Sequence, residues 1–580
     1  MKTLRLAAGL LAASAILSCA RADDPHTGMA MPAATVADPG MAMKMTLPPM
    51  PAVYPEAGKQ GAPVLAGYGD HHHPITTTSP QTQAFFDQGV RLLFGFNHAE
   101  AIRSFREAAR LDPDCAMCWW GVAFALGPNI NLPMQPDAGA PALAAVQMAR
   151  ALEPHALPEE IAWIEAVAAR YSPDSNADRA ALDEAFAQAM GKVRAQYPND
   201  LDAGVFYAEA MMDTQPWDYW QDDHKTPKGH GADIDATLDT VLQHEPLHPG
   251  ALHLYIHAME ASTTPERAEA AADKLEPLMP SAGHVVHMPS HIYFRVGRYE
   301  DAVKVNEAAA RKDEEYIAAC KAQGFYPLAY YSHNLHFLWT SSEMLGRYKA
   351  AEDAGQRLQR AAAAGAPMAA AVPPVQLYFL VPVVTDIRFG RWDKALAEKI
   401  PSPDLKLDVA ISHYARAFAY ANKRQFKRAA KERDALAAMI ANKEFAEIDA
   451  FPVPGTQMAQ LALEAVDGEI ARSRGRTADA LRHFKQANAL YASLPYTEPD
   501  YWYQPVSHIY GAALLAAHRP AEAEAVYRES LGVHRLDGWA LYGLAQALQA
   551  QGKTKEAAET RAQFASVWRL ADTKLTSSRF

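Results

Sequence analysis

The chain has 580 residues, 49% of them hydrophobic, which is enough apolar material for several domains or an extended array of repeats. Its formal net charge of −12 argues against non-specific nucleic-acid binding, which needs a basic surface. No G-x-S-x-G elbow, P-loop or dinucleotide fingerprint is evident, so hydrolase and nucleotide-dependent classes lack motif support and no nucleotide cofactor is indicated.

Residues 1–22 are predicted to be an export signal. Lys2 and Arg5 supply positive charge, residues 6–17 are apolar, and an A-x-A cleavage site ends at Ala22. The apolar run is shorter than the ~20 residues that a membrane-spanning helix needs. No later transmembrane segment is evident.

The same region allows a second interpretation, a bacterial lipoprotein. Residues 16–19 loosely resemble a lipobox, although the leucine before the small residue is atypical, and lipidation would place an anchor on Cys19. Both interpretations predict an exported chain, periplasmic or attached to a membrane by lipid.

Residues 23–78 are predicted to be a disordered leader rich in methionine, histidine and proline, because their apolar residues follow no period. Thioether and imidazole groups together suit copper. The groups concerned are His26, Met29, Met31, Met41, Met43, Met45, Met50, His71, His72 and His73. The alternative is a low-complexity tether that binds no metal.

Cys115 and Cys118 form a C-x-x-C pair. Trp119 follows them, which rules out C-x-x-C-H haem attachment, and no second pair supports a zinc ribbon. A structural role is predicted, either as a local disulfide or as two small buried side chains.

From Ser79 the sequence resembles the tetratricopeptide repeat (TPR), a helix–turn–helix unit of 34 residues. Small residues at fixed positions let its two helices pack closely, and a proline closes the second helix. In the first unit the small residues are Gly89, Ala101 and Ala108, and the proline is Pro113. Phe105 also fits the repeat spacing.

The turn signature recurs along the chain, and strand patterns are nearly absent. Its alanines are Ala302, Ala351, Ala395, Ala429, Ala480, Ala523 and Ala557. We therefore predict an all-α TPR solenoid, with one array at residues 79–365 and a second array with capping helices at residues 366–580.

Two histidine pairs stand in register within this frame. His253 and His257 occupy positions 5 and 9 of one unit, and His287 and His291 occupy the same positions of the next unit, 34 residues later. In the third unit His333 takes position 2 and His336 takes position 5, and Glu260 takes position 12 of the first. These positions generally face the concave groove.

Residues four apart in sequence share a helix face, and packed helices lie about 8–10 Å apart. Imidazoles on adjacent helices can therefore converge on one point. Two H-x-x-x-H pairs with a carboxylate resemble the ligands of a zinc, copper or non-haem iron site. Pro289 is expected in the first turn of its helix, so His287 is expected to precede the helix that carries His291.

An acidic element precedes these pairs. Glu209, four residues before Asp213, is expected to complete the metal site, to orient its ligands, or to sit near a helix N-terminus. The aromatic segment Trp217–Trp220 either roofs the groove or packs in the core.

The segments FNHAEAIRSF, WWGVAFALGPNIN, HPGALHLYIHAMEAS and GHVVHMPSHIYFRVGRY together resemble a family of exported bacterial TPR proteins. The likeness extends from about His71 to Ala351. The resemblance implies the TPR fold and implies that the histidine-bearing segments form one structural unit. It implies no particular reaction.

Three hypotheses follow for the groove. The first is a transition-metal site, with copper, zinc or iron, whose open positions would make it catalytic. Its candidate ligands are His253, His257, Glu260, His287, His291, His333, His336 and Glu209. The second is a metal-free protein- or peptide-binding scaffold, and the third is general-base chemistry by a histidine–carboxylate pair.

Overall fold

The computed structural model describes residues 47–322, 324–364, 373–399, 401–451 and 453–580. The predicted signal at residues 1–22, the lipidation candidate Cys19 and the leader through Met45 lie outside the described residues.

The described chain is built from α-helices, with two isolated β-bridges and no strand among these residues. The longer helices of the first half are Pro80–Phe94, His98–Leu111, Ala116–Ala125, Gly139–Ala151, Pro158–Ala168, Arg179–Gln196, Leu201–Thr214, Gly231–His244, Pro249–Glu260, Pro289–Val296, Tyr299–Cys320, Ser332–Met344 and Tyr348–Ala364. Those of the second half are Val381–Arg388, Lys406–Asn422, Phe426–Ala441, Gly455–Ser473, Thr477–Ala492, Ser507–Ala516, Pro520–Val533, Gly538–Ala550 and Thr554–Val567. Consecutive helices pack against each other along the chain, so the predicted all-α, TPR-like solenoid is confirmed.

Small residues set the close packing of the helix pairs, as the repeat pattern predicts. A Cβ atom on Gly89 would lie 2.4 Å from the ring of Phe105, and one on Gly121 would lie 2.5 Å from the same ring. The ring therefore occupies space that a side chain would otherwise fill. Gly468 and Phe484 repeat the arrangement in the second half.

Residues 47–78 correct the prediction of a disordered leader. The side chains of Tyr54 and Tyr68 are buried, and the N–H of Leu65 donates to Oε1 of Gln88 at 2.8 Å. The prediction failed for residues 47–78 because contacts with distant helices, rather than a local helical pattern, hold them in place.

The array curls back on itself. The hydroxyl of Tyr299 donates to the carbonyl oxygen of Arg535 at 2.9 Å, and the indole N–H of Trp539 donates to the carbonyl oxygen of Glu343 at 2.9 Å. The last repeats therefore pack against the middle of the chain, and part of the concave face is lined by residues from both halves.

The apolar core divides into two clusters that meet along helix Tyr299–Cys320. Ala302 belongs to the first cluster and Val303 to the second. The array boundary predicted at residues 365 and 366 falls in a stretch outside the described residues. Among the described helices, none combines the length and apolarity that crossing a bilayer requires.

Cys115 and Cys118 are joined by a disulfide, the first of the two structural roles expected for the pair. Both are fully buried at the start of helix Ala116–Ala125. Cys320 is a free thiol.

Candidate metal centre

The first histidine-bearing helix is Pro249–Glu260. His248 caps its N-terminus, because Nδ1 of this residue accepts from the N–H of Ala251 at 3.3 Å. A Cβ atom on Gly250 would lie 2.6 Å from the ring of Phe94, so glycine lets this helix approach the first repeat closely.

The second histidine-bearing segment consists of helices Gly283–His287 and Pro289–Val296 with Met288 between them. Met288 keeps helical dihedral angles, φ −50° and ψ −39°, and Pro289 takes the first helical position as predicted. His287 therefore belongs to the short turn before the proline, and its ring still meets that of His291.

The structure gathers six histidines into two adjoining groups. In each group three ring nitrogens lie within 4.8 Å of one another. We call His253, His257 and His284 group one, and His287, His291 and His333 group two.

In group one, Nε2 of His253 lies 3.0 Å from Nε2 of His257. The other nitrogen of each ring is held by an oxygen: Nδ1 of His253 by the carbonyl of Phe94 at 2.6 Å, and Nδ1 of His257 by Oε1 of Glu260 at 3.3 Å. His284 completes the group, and neither of its buried ring nitrogens has a hydrogen-bond partner among the described residues.

Group two has the same construction. Nε2 of His287 lies 2.9 Å from Nε2 of His291, which in turn lies 3.4 Å from Nε2 of His333. Nδ1 of His287 meets Oδ1 of Asn306 at 2.6 Å, and Nδ1 of His291 is in direct contact with Oε2 of Glu260.

These contacts assign the tautomers. The carbonyl oxygen of Phe94 and the amide oxygen of Asn306 accept, so the proton of His253 and that of His287 lie on Nδ1, and the Nε2 lone pair of each of these two rings faces inward. At about 3 Å, Nε2 of His257 and Nε2 of His291 either donate a proton to the facing lone pair or share a bound metal ion with it. Oxygen acceptors behind inward-facing imidazoles are typical of protein metal sites.

The two groups are related by one repeat. Each combines positions 5 and 9 of one unit with position 2 of the next unit: His253, His257 and His284, then His287, His291 and His333. Sequence reasoning missed His284. The frame that places His333 at position 2 also places His284 there, so the signal was present.

Glu260 lies between the groups rather than among their inward-facing nitrogens. Its two carboxylate oxygens face Nδ1 of His257 and Nδ1 of His291. Oε2 of Glu498, from a much later part of the chain, lies 3.3 Å from Nδ1 of His291. Glu260, predicted among the ligands, is therefore positioned to orient one histidine of each group.

Burial makes most of these histidines neutral, as metal ligation requires. Burial lowers the pKa of His253 to about 3. In four further histidines, burial and the neighbouring imidazoles together lower the pKa well below its ordinary range; these are His257, His284, His287 and His333. Burial alone would also lower the pKa of His291, but Glu260 and Glu498 outweigh it and raise this pKa to about 9.

An aromatic ring shields each group. The ring of Phe96 lies 4.6 Å from that of His253, and the ring of Phe337 lies 4.6 Å from that of His291, centroid to centroid. Such an apolar shell limits the access of water to a metal centre.

Two other predicted ligands also lie outside the groups. The ring of His336 stacks on Trp339 at 5.3 Å. Glu209 is buried beside Asp213, which pairs with Arg170 at 2.6 Å. Burial and then Asp213 raise the pKa of Glu209 well above its ordinary range, and Glu209 belongs to neither histidine group.

A cavity of about 1130 Å³ adjoins both groups. His257 and His284 of group one and His291 and His333 of group two line it, together with Trp217 and Trp220. These two tryptophans thus take the groove-lining role considered for the aromatic segment, whereas Tyr219 is buried in the core.

A further cluster surrounds Asp202 and has a different construction. The carboxylate accepts from Nε2 of His71 at 3.1 Å, Nδ1 of His73 at 2.7 Å and Nε2 of His248 at 2.8 Å. Because Nδ1 of His248 accepts from the N–H of Ala251, its proton lies on Nε2 and points at the carboxylate. His71 and His73, predicted as copper candidates, fasten residues 71–73 to the helical array.

No protein-family model matches the chain, and no curated protein matches it. Among solved structures it is similar to the human IFIT1 dimer with m7Gppp-AAAA, at 12% identity over 86% of this chain and 91% of that chain, with a TM-score of 0.31. It is similar to yeast Tom70 at 12% identity over 84% of this chain and 93% of that chain, with a TM-score of 0.28. These TM-scores are too low to support an argument about function.

Proposed function

We propose that the protein binds two transition-metal ions, one in each three-histidine group. The observation that carries the proposal is the convergence of three ring nitrogens within 4.8 Å in each group, with two Nε2 atoms 3.0 Å apart in group one and 2.9 Å apart in group two. His284, buried with no hydrogen-bond partner among the described residues, supplies an independent reason for a ligand in group one.

The donor set fits copper and zinc, and the Irving–Williams order gives copper the higher affinity. Imidazole suits copper, zinc and iron, whereas sites for magnesium, calcium or manganese use oxygen ligands. Iron sites usually add a carboxylate, and here Glu260 faces Nδ1 atoms instead. Three protein ligands leave a coordination position open, which is the arrangement of a catalytic metal rather than a structural one.

Metal analysis of the mature chain, residues 23–580 purified without a histidine tag, tests the proposal. We expect about two equivalents of copper after loading, and one equivalent or none in His257→Ala or His291→Ala. His336→Ala is the matched control, because His336 is a half-buried imidazole of the same repeat series that belongs to neither group. A chain that takes up no added copper, zinc or iron would overturn the proposal.

The second candidate is a metal-free protein- or peptide-binding scaffold, a frequent use of helical-repeat arrays. The cavity favours a small ligand over an extended peptide, because Tyr496, Glu498 and Trp502 of the later repeats line it together with the histidine-bearing helices. Pull-down of a partner with equal yield from the native chain and His257→Ala, both metal-free, would favour the scaffold.

We also propose that the chain belongs to the exported bacterial TPR proteins it resembles and acts in the periplasm. The A-x-A site and the Cys115–Cys118 disulfide support this, since disulfides persist in oxidising compartments. Mass spectrometry of the processed N-terminus will distinguish cleavage after Ala22 from lipidation of Cys19, and an unprocessed cytoplasmic chain would contradict export.

A further inference from the structure

The two histidine groups differ in the charge that lies behind their rings. In group two, Nδ1 of His291 is in direct contact with Oε2 of Glu260 and lies 3.3 Å from Oε2 of Glu498. The side chains of both glutamates are buried, and neither of these oxygens meets another hydrogen-bond donor among the described residues. Two carboxylate oxygens therefore converge on one histidine of group two.

Group one has less negative charge behind its rings. His253 is held by the neutral carbonyl of Phe94, and His284 has no hydrogen-bond partner on either ring nitrogen among the described residues. Only Oε1 of Glu260, which lies 3.3 Å from Nδ1 of His257, brings a carboxylate to this group. The three histidines are at most 2% exposed, so water supplies little compensation for the charge of a bound ion.

Arg295 offsets only part of the negative charge at group two. Its Nη1 lies 3.8 Å from Oε1 of Glu498, and its Nη2 donates to the carbonyl oxygen of Ser262 at 3.1 Å. The other oxygen of Glu498 lies closer to His291, at 3.3 Å. Because Glu260 also contacts His291 more closely than it contacts a ring of group one, group two keeps the larger share of negative charge.

The charge of a buried ion decides how much compensation it needs. The cost of removing an ion from water rises with the square of its charge, whereas its attraction to a carboxylate rises in proportion to the charge. A buried divalent ion therefore depends on nearby carboxylates more than a monovalent ion does. Carboxylates behind a ligating histidine also make that histidine a stronger donor. Group two meets these needs better than group one.

We propose, on the basis of the two-metal function above, that the two groups take ions of different charge. Group one takes Cu(I), the transition-metal ion of single charge that imidazole ligands suit. Group two takes a divalent ion, Zn(II) or Cu(II). The protein thus holds a mixed pair of ions rather than two equivalent ones.

Two double variants of the full mature chain isolate the groups. His287→Ala with His333→Ala leaves group one intact, and His253→Ala with His284→Ala leaves group two intact. Dissociation constants for Cu(I) and Zn(II) are measured without oxygen against chelators of known affinity, and the variant with all four substitutions measures metal bound elsewhere on the chain. We expect the ratio of the Zn(II) constant to the Cu(I) constant to be at least about tenfold larger at group one than at group two.

Glu498→Gln, made in the variant that keeps group two, tests the cause of the difference. It should weaken Zn(II) binding about tenfold and Cu(I) binding only about threefold, because the attraction to a carboxylate scales with the charge of the ion. Asp500→Asn is the matched control from the same loop. Its carboxylate accepts from the hydroxyl of Tyr491 at 2.5 Å and faces His534 rather than a histidine of either group, so the ratio should change little.

Equal preferences at the two groups, or a stronger preference for Cu(I) at group two, would overturn this proposal and leave metal binding intact. Equal weakening of both ions by Glu498→Gln would also overturn it. Circular dichroism checks the fold of each variant. If a double variant does not fold, the native chain is loaded with one equivalent of each ion; it should retain both, and His284→Ala should lose Cu(I) and keep Zn(II), whereas the reverse loss would overturn the proposal. A chain that binds neither ion would overturn the function on which the proposal rests.

Discussion

Glu260 offers the sharpest test of the paired construction, because one carboxylate serves both histidine groups. Oε1 faces Nδ1 of His257 at 3.3 Å and Oε2 is in contact with Nδ1 of His291. Glutamine at this position would keep one acceptor oxygen and replace the other with an N–H donor. One of the two histidines would then face a donor, turn its proton to Nε2 and lose its inward lone pair.

The expected magnitude follows from this geometry. Removing the partner behind a metal-bound histidine typically weakens metal binding 10–100-fold, or about 1.4–2.7 kcal/mol. Glu260→Gln removes such a partner from one histidine only. We therefore expect one site to weaken by about that factor and the other to change little. Glu260→Ala should weaken both, and group two by less, because Glu498 still faces Nδ1 of His291.

Competition titration against a copper chelator, fitted with two sites, measures the effect. Glu343→Gln is the control, because Glu343 is equally buried and pairs with Arg388 at 3.0 Å away from the histidine groups. Two unchanged dissociation constants in Glu260→Gln would refute the shared-acceptor reasoning.

Three further outcomes are expected. Gly89→Ala should destabilise the first repeat by about 1–3 kcal/mol in urea denaturation, because the added Cβ would lie 2.4 Å from a ring; Gly532→Ala, with no atom within 4 Å, should not. Burial alone would raise the pKa of Glu469, but Arg579 and Arg472 lower it from 4.5 to about 2. The ionised carboxylate therefore stabilises the folded state above pH 4.5, and this stabilisation is lost as the pH falls toward 2. Glu469→Gln should lose about 3 kcal/mol at neutral pH and show a shallower acid loss; identical acid-unfolding curves would contradict this. Asp202→Asn should increase hydrogen exchange at residues 71–73, whereas unchanged protection would show that other contacts hold the segment.

The repeat frame accounts for much of the fold and of the site. The predicted contact of Gly89 with the neighbouring helix is present, and four of the histidines assigned to positions 5 and 9 meet in pairs. Position in a repeat fixes which way a side chain points, so a pattern of period 34 carries three-dimensional information.

The rest depends on contacts that the frame does not encode. The acceptors behind His253 and His287 are a backbone carbonyl of Phe94 and the amide of Asn306, and Glu498 arrives from a late repeat. Residues 47–78 lack periodicity and are placed by long-range packing, so local pattern could not predict their order.

Each histidine group spans a junction between successive repeats rather than lying within one. A metal ion there would join neighbouring units by coordination bonds and add to the nearest-neighbour coupling that holds a solenoid together. Three successive histidine-bearing units create two junction sites, so inserting one unit with histidines at positions 2, 5 and 9 between the first two units would add one more. The number of centres is thus set by the count of interfaces, which makes this architecture extensible in a way that a site inside a single domain is not.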